Sequence, residues 1–118
     1  MIYRLTYIPG GTVAANNIEC ACSMWLKAIG LIGRRRLAAG CGLWLPGIGS
    51  IHTFGLTGPI DVLFLDREMK MTSAMRNLGP HRVYVAPPTT RHCIELGVGT
   101  LNDEHCRSKF AQWSLEPS

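Results

Sequence analysis

The chain has 118 residues, of which 47% are hydrophobic and 17% charged, with a formal net charge of +4. These values exclude a disordered, charge-dominated chain and leave enough apolar material for a core without disulfides or metal. No apolar run approaches the roughly 18 residues of a membrane span, and 1–11 lacks the pattern of a signal peptide, so we expect one globular cytoplasmic domain over 1–118 with no membrane partner.

The N-terminal part predicts one strand and one helix. Ile2–Ile8 is rich in Ile and Tyr and ends at a Pro-Gly-Gly turn, after which a hairpin-like reversal or loop follows. Ser23–Ile32 places its apolar residues on one face of a helix, with Ser23 as N-cap and an end near Gly33. The next three residues, Arg34–Arg36, fit a solvated helix end that complements the helix dipole.

The remainder of the chain is cut by Gly and Pro into short pieces that favour strands. Ile60–Asp66 is apolar almost throughout, which predicts a central strand buried on both faces and paired in a hairpin with the alternating run that follows. We expect a mainly β fold with minor α: a compact antiparallel β-sandwich or partly open barrel with one or two short helices. The predicted strands are Gly42–Leu45, Ile51–Phe54, Ile60–Asp66, Met69–Arg76, Arg82–Ala86, Arg91–Leu96 and Arg107–Trp113.

Four segments carry a resemblance to a known family. The run Ile51–Asp66, with Thr-Phe, Pro-Ile-Asp, apolar residues and a final Asp in order, resembles the central signature of the uncharacterised domain-of-unknown-function family number 192. The segments Gly30–Arg34, Gly42–Leu45 and Ile94–Gly99 are similar to its flanking motifs, so the likeness spans Trp25 to about Gly99. The resemblance implies a compact, mainly antiparallel β domain and brings no established activity, cofactor or catalytic residue.

Two aspartates, Asp61 and Asp66, bracket the central strand. The favoured interpretation is structural, since a carboxylate at a strand end can accept backbone N–H groups at little cost. The functional interpretation joins Asp61 to His52, Thr53 and Glu95 in one polar cleft, where His52 acts as acid or base. The chain has no nucleophile elbow, zinc-protease motif, phosphate loop or dinucleotide fingerprint to support catalysis.

The leading functional hypothesis is a non-catalytic binding or accessory domain with a cleft near Gly55–Asp61. Gly55 and Gly58 would let a ligand or another backbone approach closely. The partner is an unknown small ligand or protein segment, and the oligomeric state stays open. The alternative is a small acid/base hydrolase that uses His52 with Asp61 or Glu95. The candidate ligand-binding residues are His52, Thr53, Phe54, Gly55, Pro59, Asp61 and Glu95.

The basic and sulfur-containing residues predict neither a nucleic-acid partner nor a metal. Arg34–Arg36 is the only basic cluster and is too small a footprint for a polyanion. Five cysteines cannot all pair within a monomer, which favours thiols in a reducing compartment. In a strand, His92 and Cys93 point to opposite faces, so they cannot share one ion. We expect no cofactor.

Overall fold

Strands dominate the computed structural model, which describes residues 1–21, 37–54, 56 and 58–118. No helix in these ranges has the length and apolar character needed to cross a membrane. The described ranges form one short helix, α1 (Asp103–Arg107), and nine strands: β1 (Ile2–Tyr7), β2 (Thr12–Cys20), β3 (Cys41–Pro46), β4 (Ser50–His52), β5 (Ile60–Asp66), β6 (Met71–Leu78), β7 (Val83–Val85), β8 (Thr90–Gly97) and β9 (Trp113–Pro117).

Seven strands form one sheet in the order β6-β5-β8-β3-β2-β1-β9, and β4 pairs with β7 in a separate ribbon. The described pairings are antiparallel except that of β2 with β3. A bridge between Lys70 and Gln112 brings the two ends of the large sheet together without closing it into a barrel. The predicted mainly β, mostly antiparallel fold is confirmed.

Strand β5 is an interior strand next to the edge strand β6 and not the middle strand of the sheet. It separates two apolar cores, as its composition predicts. Its first six residues are buried, because side chains alternate between the faces and both faces are covered. Leu63 and Leu65 enter a first core together with Leu5, Ile18, Ile94 and Trp113. Val62 and Phe64 enter a second core together with Leu43, Leu45, Ile51 and Cys93.

The β4–β7 ribbon covers the second core. Ile51 on β4 is buried in that core, and its partner Tyr84 on β7 stacks on Phe64 with ring centroids 5.4 Å apart. The Tyr84 hydroxyl also lies 2.6 Å from the hydroxyl of Ser73 on β6. A two-stranded sheet is marginal by itself, so this anchoring on the large sheet is what holds the ribbon in place.

Strand β2 occupies a region where the sequence predicts only a reversal or loop. Its pairing with β1 shifts register between Tyr3 and Leu5 and again between Leu5 and Thr6. Its two buried residues, Ala15 and Ile18, are therefore three positions apart instead of two. A β-bulge breaks the period of two, which removes the pattern by which a strand is recognised.

The predicted strand Arg107–Trp113 is wrong. Arg107 ends helix α1, and the strand β9 begins only at Trp113. The helix is nucleated by a capping box: the Asn102 side chain accepts the N–H of His105 at 2.9 Å, and Nδ1 of His105 accepts the N–H of Asn102 at 3.1 Å. These local bonds stabilise a helical turn where the sequence predicts the start of a strand.

Two predictions lie outside the described residues, namely the helix Ser23–Ile32 and the placement of Arg34–Arg36. The thiol prediction needs one correction. Cys41, Cys93 and Cys106 are free, but Cys20 is disulfide-bonded. An odd number of cysteines excludes complete pairing, yet it does not exclude a single bridge.

Candidate functional site

A pocket of about 310 Å³ opens on the β4–β7 ribbon. We call it the ribbon pocket; it is lined by Ser50, Ile51, His52, Phe54 and Val83. Although the lining is largely apolar, Phe54 is 48% exposed and Val83 is 66% exposed. Exposed apolar side chains that surround a concavity are typical of a binding surface.

The aromatic ring of Phe54 contacts two imidazoles. Its centroid is 5.8 Å from that of His52 and 5.9 Å from that of His81. At these distances the rings are in contact but tilted, so two neighbouring rings support Phe54 at the surface. The result is an aromatic rim that leaves about half of the Phe54 side chain exposed.

Thr53 positions this rim from below and is itself completely buried. Its hydroxyl donates to the carbonyl of Gly79 at 2.7 Å and accepts the N–H of Arg82 at 2.8 Å. Its backbone N–H donates to the Arg82 carbonyl at 2.8 Å. Thr53 therefore fixes the loop before β7 against the end of β4, and it does not offer its hydroxyl to a ligand.

Asp61 has a different environment, because its carboxylate is fully buried and accepts three backbone N–H groups. Oδ1 accepts from Asn77 at 2.8 Å. Oδ2 accepts from Gly99 at 3.2 Å and from Leu101 at 2.9 Å. The carboxylate thus ties the end of β6 to the loop after β8. Such charge-assisted bonds account for a buried aspartate without any ligand.

The structure does not bring His52, Asp61 and Glu95 together. Across β5 and β8, Asp61 pairs with Leu96 and Val62 pairs with Glu95. Paired residues of antiparallel strands share a face and successive residues alternate, so Asp61 and Glu95 point to opposite sides of the sheet. His52 lies on the exposed surface of the separate ribbon.

Some of the predicted ligand-binding residues line the ribbon pocket and others lie outside it. Pro59 is half-buried just before β5, and Gly55 lies outside the described residues. Of the seven predicted ligand-binding residues, the ribbon pocket contains His52 and Phe54.

The segments that form the ribbon pocket carry positive and no negative formal charge. The described segments 37–54 and 79–91 contain no aspartate or glutamate. They contribute the exposed guanidinium of Arg82, which precedes Val83 of the pocket. An anionic group is therefore better accommodated here than a cation.

Cys93 on β8 gives no support to thiol chemistry. Burial, and then the negative charge of Glu95, raise the pKa of the Cys93 thiol well above its ordinary value. A thiol held in its protonated form is a poor nucleophile and a poor metal ligand. His92, next to it, points to the other face and accepts the indole N–H of Trp44 at 3.2 Å. No cluster of metal-ligating side chains occurs among the residues that the structure describes.

Sequence reasoning missed the contributions of Ser50, His81, Arg82 and Val83. These residues reach the site only because β4 pairs with β7, and the two strands are separated by all of β5 and β6. The local pattern of three-residue strands carries no information about such a pairing. The one available signal was the alternation of Val83, Tyr84 and Val85, which predicts a strand with one apolar face exposed or covered by a partner.

Known proteins share this fold. The DUF192 family model, described as Uncharacterized ACR, matches residues 6–108. A proposed transcription regulator from Sinorhizobium meliloti 1021 is similar with a TM-score of 0.76 and 20% identity, covering 96% of this chain and 91% of that chain. A protein of unknown function from Novosphingobium aromaticivorans DSM 12444 gives a TM-score of 0.75 and 19% identity, covering 95% and 82%. None of the curated proteins matches significantly.

Proposed function

The chain belongs to the DUF192 family, and we propose that it is a small non-catalytic binding domain whose ribbon pocket holds an apolar ligand group that bears a negative charge. The observation that carries the proposal is the half-exposed Phe54 ring, which the two imidazoles and the Thr53 hydrogen bonds hold at the mouth of a pocket. An aromatic side chain supported in that way offers contact area at a reduced ordering cost.

The energetic argument rests on the exposed apolar surface. Complete burial of a large apolar side chain contributes roughly 1.5 to 3 kcal/mol, so covering Phe54 and Val83 together gives a useful gain. The lack of acidic residues in the described segments 37–54 and 79–91 adds an electrostatic preference for an anion. These two terms favour an amphipathic anion over a neutral sugar or a cation.

The geometry favours binding over the acid/base alternative. An imidazole that acts as a general base is usually oriented by a carboxylate. Both oxygens of Asp61 already accept backbone N–H groups, and Glu95 faces the second core. The ring neighbour of His52 is Phe54, which supports a packing role for the imidazole.

Anilinonaphthalene sulfonate tests the proposal, because this probe combines an apolar ring system with one negative charge. We expect its fluorescence to rise on binding, and we expect the amide NMR shifts of Ser50, His52, Phe54 and Val83 to move. Phe54→Ala should weaken binding at least about fivefold, since it removes a large part of the exposed apolar contact area.

The matched control is Phe110→Ala, which removes another exposed aromatic ring, 65% accessible, from outside the ribbon. It should leave the affinity for anilinonaphthalene sulfonate within about twofold of wild type. Equal losses in both variants, or shifts confined to residues outside the ribbon, would show that the ribbon pocket is not the binding site.

A further inference from the structure

The hydrogen-bond register of the ribbon shows which peptide groups of β7 face outward. The N–H of Thr53 donates to Arg82 at 2.8 Å, and the N–H of Ala86 donates to Gly49 at 2.9 Å. These bonds mark the pairs that exchange hydrogen bonds across the ribbon. Because such pairs alternate along antiparallel strands, Val83 and Val85 belong to the other set. Their N–H and C=O groups point away from β4.

The side chains at these positions are equally unprotected. Val83 is 66% exposed and Val85 is 72% exposed, and within the described ranges no hydrogen bond reaches the outward peptide groups of either residue. Natural proteins usually protect an edge strand with a charge, a proline or a bulge, or keep the strand very short. β7 has only three residues, but the strand Val-Tyr-Val contains no charge, proline or bulge. It therefore offers an open template for another strand.

The positive charge near this edge favours an acidic partner. Arg82 precedes β7 and is exposed, His81 is exposed beside it, and no acidic residue occurs in 79–91. The whole chain has a formal charge of +4, so a second copy would be repelled by like charge. An acidic segment gains from the same field. Opposite Val83 and Val85, an added strand presents apolar side chains, and opposite Arg82 it presents an acidic one.

We propose that β7 takes up an extended peptide segment with alternating apolar and acidic residues, which adds to the ribbon as a third, antiparallel strand. This inference rests on the proposed function, since it names the chemistry of the ligand that covers the exposed ribbon. The peptide groups of Val83 and Val85 hydrogen-bond to the partner backbone, and Val83 links the new strand to the ribbon pocket.

The test uses a capped, fluorescently labelled peptide of alternating valine and glutamate, with binding followed by anisotropy. In the added strand, the residues whose backbone groups bond to Val83 and Val85 lie directly opposite them, so their side chains share the face of these two valines. These residues are the valines of the peptide. N-methylation of the valines should therefore weaken binding at least about tenfold, by removing the N–H donors that face β7. N-methylation of the glutamates, whose N–H groups face solvent, should change the affinity less than about threefold.

Two protein variants separate this inference from the proposed function. Val85→Pro removes one outward N–H at a residue that does not line the ribbon pocket. It should weaken the unmodified peptide about tenfold and leave the binding of anilinonaphthalene sulfonate unchanged. Val85→Thr retains the N–H at a similar volume and should bind the peptide within about threefold of wild type.

Three results would overturn the proposal while leaving the ribbon pocket in place. The first is dissociation of the unmodified peptide at about 1 mM or weaker, alongside normal binding of anilinonaphthalene sulfonate. The second is equal affinity for the peptide methylated at valine. The third is a concentration-dependent dimer in sedimentation that Val85→Pro abolishes, which would assign the edge to a second copy.

Discussion

Asp61 and Asp66 lie near the two ends of β5, and both accept backbone N–H groups. They differ in burial, and therefore in how much these hydrogen bonds stabilise the protein. Asp66 is half-buried, and its Oδ1 accepts from Glu68 and Lys70 at 2.9 and 3.0 Å in an exposed turn. Asp61 has no exposed surface. Water can replace the hydrogen bonds of Asp66 when they are lost, whereas nothing replaces those of Asp61.

We therefore expect Asp61→Asn to destabilise the protein by about 2 to 4 kcal/mol. The new amide nitrogen would oppose one or two backbone donors, at Asn77 or at Gly99 and Leu101, where a carboxylate oxygen now accepts. Asp66→Asn is the matched control and should cost less than about 1 kcal/mol, because an amide oxygen still serves the turn. Urea unfolding measures both, and equal losses would contradict the distinction.

At the end of β8, the backbone of Gly97 packs closely against the backbone of Ala38. A side chain at Gly97 would place Cβ 2.0 Å from the carbonyl oxygen of Ala38. The segment before β3 thus packs directly on the last residue of β8, next to the loop whose N–H groups bind Asp61. A glycine is required here by space and not by a special backbone angle.

At the end of β8, we expect Gly97→Ala to lower the free energy of unfolding by about 2 to 4 kcal/mol, since the backbone at Ala38 must move to accept a methyl group. Gly79→Ala provides the comparison, because a Cβ there meets nothing within 4 Å. That variant should be neutral or slightly stabilising, by up to about 1 kcal/mol. Thermal unfolding would refute the packing argument if both variants melted alike.

A buried histidine, His105, and a half-buried one, His92, connect the stability of the whole molecule to pH. His105 contacts the rings of Tyr7 and Trp113, with centroids 4.8 and 5.0 Å away, and so joins α1 to β1 and β9. Burial lowers its pKa from the ordinary 6.5, and the charge of Glu104 opposes that shift only in part. Burial also lowers the pKa of His92, partly offset by Asp66.

The sign of the pH effect follows from these directions. Because the unfolded chain takes up a proton near pH 6.5 and the folded protein only at lower pH, stability is greatest above about 6.5 and falls as the pH drops through the folded pKa. Protonation would also turn Nδ1 of His105 from an acceptor into a donor facing the N–H of Asn102.

We accordingly expect the free energy of unfolding to be smaller at about pH 5.5 than at about pH 7.5. His105→Gln should lower stability at the higher pH and flatten the dependence, whereas His81→Gln, at an exposed position, should leave the slope unchanged. Urea titrations over this pH range make the measurement. Constant or rising stability on acidification would contradict the role assigned to His105 and His92.

The sequence by itself determined the features that depend on neighbours along the chain. The continuous apolar run Ile60–Asp66 identified a strand buried on both faces, and alternation after it identified the hairpin partner β6. Gly and Pro divided the remainder into short strands, enough to assign a mainly β fold. The structural interpretation of Asp61 and Asp66 also followed locally, from carboxylates placed at the ends of an apolar run.

Only the tertiary structure decided the features that depend on distant pairing. The bulged strand β2 lost its period of two to register shifts against β1, and the capping box of His105 prevailed over a weak strand pattern. Pairing also separated two residues that the sequence had placed in one cleft, because alternation across β5 and β8 put Asp61 and Glu95 on opposite faces. Pairing of β4 with β7 brought Val83 to His52. A local pattern states which residues face a core, but not which strand lies beside them.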